Sequence, residues 1–479
     1  MSFATLLLMA IVPISLWVAS KYWQRALFGV FVLLVFEGAL RKWVLPDAQA
    51  QIYLVKDVIL LGVYLGFLLD RRRTQPTLRD GRAIKIILGL AFGFGCLEVL
   101  NPNSPSVLVG LVGLKTYFLY APIAFVLPYA IKSREHLLYL VRCYLVIAIP
   151  IAILGFVQVA AGPSSFINAY VSHSEDPAVL VRFGQTYDLM RTSGTFSYIF
   201  GYSTYLSFIA FLAIGYNMAQ SWRIKGNIDA LFALTVVIGA MFTTGSRAPV
   251  FTLIASGPII LWLAVTGRIL ALRTAVRMGV TVLVIAFVAL NLSPQAYEAF
   301  ADRVSDSGDS ALTRLFSPIA QTLEALSGAP VFGMGIGTTH SAAMTIMGTD
   351  WPWWLQGLLT EDEMARVTVE LGLLGLILTY LLRFLIADLA LRWALSFKDR
   401  VNRSFGIVLA VHLGLGVIGM VILNPTAGLY YWGALGLVLA MRRLEQTAHR
   451  EAKADPKFAV GRARWGTSRP VRSALVGEN

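Results

Sequence analysis

Four arginines in this chain stand in settings that could hold a phosphate. Arg191 lies within Met190-Arg191-Thr192-Ser193-Gly194-Thr195-Phe196, and Arg247 within Thr243-Thr244-Gly245-Ser246-Arg247-Ala248-Pro249. A guanidinium keeps its charge in any surroundings and offers a planar fork of donors that matches phosphate oxygens. The neighbouring Ser, Thr and Gly residues add hydroxyl and backbone N–H donors with little bulk. Arg314 and Arg366 complete the set. The plainer alternative is an interfacial arginine, its stem along apolar surface and its head among lipid headgroups.

Three residues nearby could accept a proton. His340 follows the glycine run Gly333-Met334-Gly335-Ile336-Gly337, and an imidazole titrates close to neutral pH. The alternative for His340 is an ordinary packing residue. Gly335 and Gly337 fit a tight turn that lets backbone approach a ligand, and the run lacks the strand–loop–helix setting of a nucleotide loop. Glu361 and Glu363 precede an apolar segment that also carries Arg366 and Glu370. Glu363, Arg366 and Glu370 are spaced three and four apart and so share one helix face. A carboxylate as deep as Glu370 is costly in a bilayer and is commonly paired or functional. That face supports two readings. One is a Glu-Arg-Glu ion network that fixes packing. The other makes Glu361 or Glu363 a general base, with Arg366 holding the base or a phosphate. Glu37 with Arg41, and Lys56 with Asp57, read as structural pairs. The partner of Lys115 is not evident from sequence.

The elements that must position these groups are membrane helices. Hydrophobic residues make up 57% of the 479 residues and charged ones only 14%, and the mean hydropathy of +0.68 excludes an ordinary soluble domain. Spans of suitable length are read at roughly 3–20, 26–44, 52–69, 84–101, 107–130, 137–160, 196–218, 228–245, 249–266, 278–293, 364–390, 404–423 and 427–441. The fold expected is all-α, a polytopic integral membrane protein of about thirteen transmembrane helices. Continuous apolar runs exclude a transmembrane barrel. About 29 of the 40 Lys and Arg residues then fall on one side, which is read as the inner one. That count includes the group from Arg383 to Arg403. It places the N-terminus outside and the C-terminus inside. The four arginines above lie on the outer side.

Two outer loops are long, 161–195 and 294–363, and long loops tend to carry function. In the second, Asp309 or Ser310 can cap a helix over Ala311–Leu326 ended by Gly328, with Arg314 in its first turn. Trp351-Pro352-Trp353-Trp354 follows and fits an interfacial anchor, a sugar-stacking surface, or both. Residues 1–441 form one membrane domain. Residues 442–479 are a basic cytoplasmic tail, expected to be disordered, whose charge suits anionic lipid rather than nucleic acid. Cys96 and Cys143 fall in different spans and support neither a metal site nor a disulfide framework.

In order along the chain, these pieces resemble the O-antigen ligase and O-antigen polymerase superfamily of bacterial membrane glycosyltransferases. The matching segments are Arg191-Thr192-Ser193-Gly194-Thr195-Phe196, Thr244-Gly245-Ser246-Arg247, Arg314 upstream of Pro330-Val331-Phe332-Gly333-Met334-Gly335-Ile336-Gly337, and Glu370-Leu371-Gly372-Leu373-Leu374-Gly375. The resemblance implies transfer of a polyprenyl-diphosphate-linked oligosaccharide to an acceptor glycan at the outer face of the plasma membrane. The resemblance further implies that no metal, nucleotide or other cofactor would take part. Arg191 and Arg247 would grip the diphosphate, and Arg314 would join them or order the loop helix. The partners implied are the lipid-linked glycan, the acceptor, membrane lipids and other polysaccharide-assembly proteins. Many family members carry a His-Asn pair shortly before the Glu-x-Gly-x-x-Gly motif. This chain has Glu361-Asp362-Glu363 there, so the base is Glu361 or Glu363 by position and His340 by chemistry. A polymerase of exopolysaccharide or O-antigen is the first expectation and a ligase the second. The rival class is a transporter of lipid-linked sugars, which would place ionisable residues along a mid-membrane path and show paired repeats.

Overall fold

The computed structural model describes residues 3–70, 81–169, 182–183, 189–222, 226–267, 271–305, 311–340, 343, 346 and 362–454. Helix α1 (Phe3–Lys21) is followed by α2 (Trp23–Ala39), which tightens into a π-helical turn, Leu40–Val44. After α3 (Gln49–Leu69) and α4 (Arg82–Glu98) comes a pair, α5 (Val107–Phe118) and α6 (Ile123–Ala130), bent by 42°. Pro122, which has no N–H to continue a helix, sits at that bend. The Tyr64 hydroxyl donates to the Leu119 carbonyl freed there, at 2.7 Å. Next are α7 (Arg134–Ala161), α8 (Ile199–Ala219), α9 (Ile228–Thr243), α10 (Arg247–Thr266), α11 (Leu272–Leu292), α12 (Pro294–Ser305) and α13 (Ala311–Gly328). The chain closes with α14 (Glu363–Ser396), α15 (Arg400–Leu415) and α16 (Pro425–Ala454). Between α7 and α8 a two-residue antiparallel pair sets Arg182 against Met190.

Side-chain caps mark several starts. Ser106 accepts from the Val109 N–H, Ser133 from His136 and Asp399 from Asn402, each meeting an N–H that the first turn leaves without a partner. Helix α8 is apolar all round and buried on nearly every side, packed by α7, α9, α10, α15 and α16. The outer helices bury one face only. On α11, Leu283, Val284 and Phe287 point away from the protein, as a helix bathed in lipid requires.

Among the described residues, six helices are long and apolar enough to cross a membrane, or seven if the bent α5–α6 pair is one span. The chain is therefore an all-helical, multi-pass membrane protein. The helix expected over Ala311–Leu326 is α13, which ends at Gly328 as read. Its proposed caps Asp309 and Ser310 lie outside the described residues, as do Glu361 and Trp351 to Trp354. Helix α16 continues past 441 to Ala454, so the start of the basic tail is helical.

One element departs from expectation. Helix α14 is broken at Gly372, where φ is 62° and ψ −164°. Arg383 donates to Glu363, twenty residues earlier on the same helix. A straight helix would hold those residues about 30 Å apart, so the chain doubles back at the break. Arg383 is therefore buried beside Glu363 and does not belong with the inner-face cations.

Candidate functional site

The Arg191 segment is strapped between three helices. Thr192 N–H donates to the Thr243 carbonyl at 3.0 Å, and the two threonine hydroxyls lie 2.7 Å apart. Arg191 Nε donates to the Thr244 carbonyl at 3.1 Å. This ties the segment to the end of α9, and the Thr244 hydroxyl accepts from Ser246 N–H at 3.1 Å to shape the next turn. Arg247 then opens α10, where the dipole and backbone N–H groups of a helix N-terminus favour an anion. Sequence positions 191 and 247 thus belong to one place. Gln158 of α7 closes the back, accepting from Gly194 N–H at 2.8 Å.

The π-turn at the end of α2 supplies the other side. Lys42 Nζ donates to Ser193 Oγ at 3.0 Å and to the Gly194 carbonyl at 2.8 Å. Arg41 donates to Ser197 Oγ at 2.9 Å. Consecutive residues on a regular helix point 100° apart; the wider π-turn lets both reach the same segment. The sequence reading passes over Lys42. Its only signal was a second cation beside Arg41 at the end of an apolar run.

From Arg41 the charges continue across Tyr53. The Arg41 guanidinium, Lys56 Nζ and Lys115 Nζ lie 5.3, 3.8 and 4.6 Å from the centre of its ring. The electron-rich ring face favours cations there. Glu37 pairs with Lys56 at 3.0 Å and with Arg41 at 3.6 Å. Lys115 finds its partner in Asp57, at 2.6 Å. Lys56 thus bonds Glu37 rather than standing only as the neighbour of Asp57.

The glycine run is pinned to the break in α14. Met334 N–H donates to the Val369 carbonyl at 2.8 Å and Gly335 N–H to the Glu370 carbonyl at 3.0 Å. The Glu370 carboxylate is buried and reaches back into the loop. It accepts from Gly337 N–H at 3.0 Å, Thr339 N–H at 2.9 Å and Thr339 Oγ1 at 2.5 Å. The Tyr117 hydroxyl lies near it. Only glycine fits this contact. Gly337 has φ of 88°, and a Cβ there would stand 2.5 Å from the Val109 carbonyl oxygen and 2.7 Å from Gly113. A Cβ at Gly372 would strike the Val331 carbonyl.

His340 ends the loop, half-buried. Burial lowers its imidazole pKa to about 4, and the charges of Lys115 and Arg366 push the same way. The ring is therefore neutral at neutral pH and close to two of the cations. Arg366 Nη1 lies 3.5 Å from the Thr339 carbonyl. Arg314 occupies the first turn of α13, which packs on α14, and its side chain is outside the described residues.

Glu363 has other business. Besides Arg383, its oxygens accept from the N–H groups of Val421 at 3.0 Å, Ile422 at 2.6 Å and Leu423 at 2.9 Å. Its two oxygens are thus already committed to four donors. Of the two readings of this helix face, the single Glu363-Arg366-Glu370 network gives way to two separate sets of bonds, because the fold-back at Gly372 brings Arg383 to Glu363 and the glycine loop to Glu370. Among the described residues no cluster of three or more His, Cys, Asp or Glu side chains could hold a metal ion.

Residues 231–380 match the protein-family model described as O-antigen ligase. The match supports the O-antigen ligase and polymerase superfamily, and it spans Arg247, the glycine loop, His340, Arg366 and Glu370 while leaving Arg191 outside. No curated protein matches the chain.

Proposed function

We propose, from that family match and this geometry, that the chain is a membrane glycosyltransferase that extends or transfers a polyprenyl-diphosphate-linked oligosaccharide at the outer face of a bacterial plasma membrane. It would cross the bilayer about thirteen times with its C-terminus inside. Polymerisation is the first reading and ligation to a lipid acceptor the second. The observation that carries the proposal is the convergence of Arg191, Arg247 and the Lys42 turn on one strapped segment. A neutral imidazole follows Thr339, whose carbonyl lies 3.5 Å from Arg366 Nη1, and feels the charges of Arg366 and Lys115.

Arg191 and Arg247 would bind the diphosphate and offset the charge that builds on it as the glycosyl bond breaks. Arg366 and Arg314 would add to that field. His340 suits the base: it takes a proton from the acceptor hydroxyl as that oxygen attacks the anomeric carbon. Burial chiefly holds the imidazole pKa down and the Lys115 and Arg366 charges add to it; the arriving diphosphate would counter those charges, so donor binding would itself make His340 a stronger base. Glu361 is a second candidate by position. Glu363 and Glu370 would act by holding the loops, with Gly335 and Gly337 allowing their close approach.

The test is transfer by the purified chain in liposomes supplied with a polyprenyl-diphosphate oligosaccharide. A ladder of longer lipid-linked glycans, lost at least a hundredfold in Arg247→Ala, is expected (the scale of losing one charge-stabilising donor, roughly 10²–10³). Transfer only to added lipid A would make the chain a ligase. Uptake of the donor without transfer would favour the transporter.

A further inference from the structure

The bend between α5 and α6 opens a cavity of about 560 Å³ toward α3 and α4. Its walls are apolar: Phe67 on α3, Leu88 and Phe92 on α4, Phe118 and Phe125 on the bent pair. Phe92 and Phe118 meet edge to face, their centres 5.3 Å apart. A Cβ added at Gly89 would meet nothing within 4 Å, so the lining is open along α4. One charged residue lines the cavity, Lys85, in the first turn of α4. A second cation stands close: Arg443 lies 5.5 Å from the ring of Tyr129, which also lines the cavity.

This end of α4 is remote from the candidate site. Lys85 precedes Glu98 by thirteen residues, about 20 Å along a helix axis. Glu98 in turn bonds Asn101, whose amide reaches the Gly333 carbonyl of the glycine loop. A diphosphate bound by Arg191 and Arg247 would therefore approach from the opposite ends of these helices. A headgroup at Lys85 needs a lipid of its own. Apolar clefts between transmembrane helices with basic residues at the mouth suit anionic headgroups, acyl chain inward and phosphate on the cations.

We propose that this cavity is a site for an anionic phospholipid, one acyl chain lying against Leu88, Phe92 and Phe118 and the phosphate resting on Lys85. The occupant would brace the α5–α6 bend. Helix α5 carries Lys115 to Asp57 and Tyr117 to Glu370, so lipid composition would bear on the geometry of the candidate site.

The test is native mass spectrometry of the full chain released from nanodiscs of equal phosphatidylglycerol and phosphatidylcholine. The wild-type chain should retain phosphatidylglycerol in preference. Lys85→Gln, an exposed change, should cut that preference about fivefold, the share of one basic residue near a membrane surface. Gly89→Phe, which adds a ring at a lining position where a Cβ meets nothing within 4 Å, should cut retention of both lipids. An unchanged preference in Lys85→Gln overturns the proposal. So does full retention in Gly89→Phe, or displacement of phosphatidylglycerol by added polyprenyl phosphate in the wild-type chain, which would give the cavity to the carrier lipid. None of these readings requires transferase activity.

Discussion

Glu363 and Glu370 are buried carboxylates two turns apart on one helix, and they do different work. Glu363 faces a cation, Arg383, and three backbone N–H groups of the segment between α15 and α16. The described donors to Glu370 are neutral: Gly337 N–H and the N–H and hydroxyl of Thr339. The first arrangement locks elements of the bundle. The second shapes the loop that delivers His340. Both depend on the same break at Gly372, because without it neither Arg383 nor the glycine run could reach its carboxylate. The difference separates a clamp on the fold from a clamp on the site.

The largest effect should come from breaking the first clamp. Removing one partner of a buried ion pair costs about 3–5 kcal/mol, since the other charge stays buried. Glu363→Gln and Arg383→Met should each lower the thermal midpoint of the detergent-solubilised chain well below wild type and reduce its yield. Joining Glu363→Met to Arg383→Met should recover only part of the loss, because three backbone donors would still lack their acceptor. Full recovery in the double variant would mean that the amides contribute nothing and that charge pairing alone defines this clamp.

These two carboxylates also show how far the sequence could be read. The apolar runs and the helix Ala311–Gly328 follow from hydropathy and spacing. That the two arginines share one place does not, since their link runs through Thr192, Thr243 and Thr244 from separate helices. Spacing along a helix put Glu363, Arg366 and Glu370 on one face. It could not show that Gly372 would adopt a positive φ and turn the chain back. A glycine inside an apolar segment reads equally well as a packing residue. Lys42 was hidden for a similar reason: a π-turn has no sequence signature, and only that turn aims Lys42 and Arg41 at the same segment.

Breaking the second clamp should cost less stability and more activity. Glu370→Gln keeps the size of the side chain but turns an amide N–H₂ toward groups that already donate. A buried donor left without an acceptor costs about 1–3 kcal/mol. The thermal midpoint should fall less than in Glu363→Gln, while transfer from the lipid-linked donor falls further, because the loop carrying His340 loses its anchor. Gly337→Ala should behave alike, its Cβ meeting the Val109 carbonyl. Equal loss of stability in Glu363→Gln and Glu370→Gln, with equal residual transfer, would erase the distinction between the two regions.

The smallest effect is a pH dependence belonging to the site side alone. His340 holds its pKa at about 4, chiefly by burial and further by Lys115 and Arg366, against an ordinary value of 6.5. The unfolded chain therefore binds the extra proton first. Stability contributed by the neutral ring is complete above about pH 6.5 and is lost as the pH falls toward 4. His340→Gln should flatten that part of the stability profile, whereas Glu363→Gln should leave its slope in place. In the transfer assay, kcat/KM reports the free enzyme and kcat the donor complex. A bound diphosphate would counter the two cations beside the ring, so the acid limb of kcat should lie at higher pH than that of kcat/KM. Coincident limbs, or limbs that survive His340→Gln, would take the base away from His340 and return it to the Glu361 position.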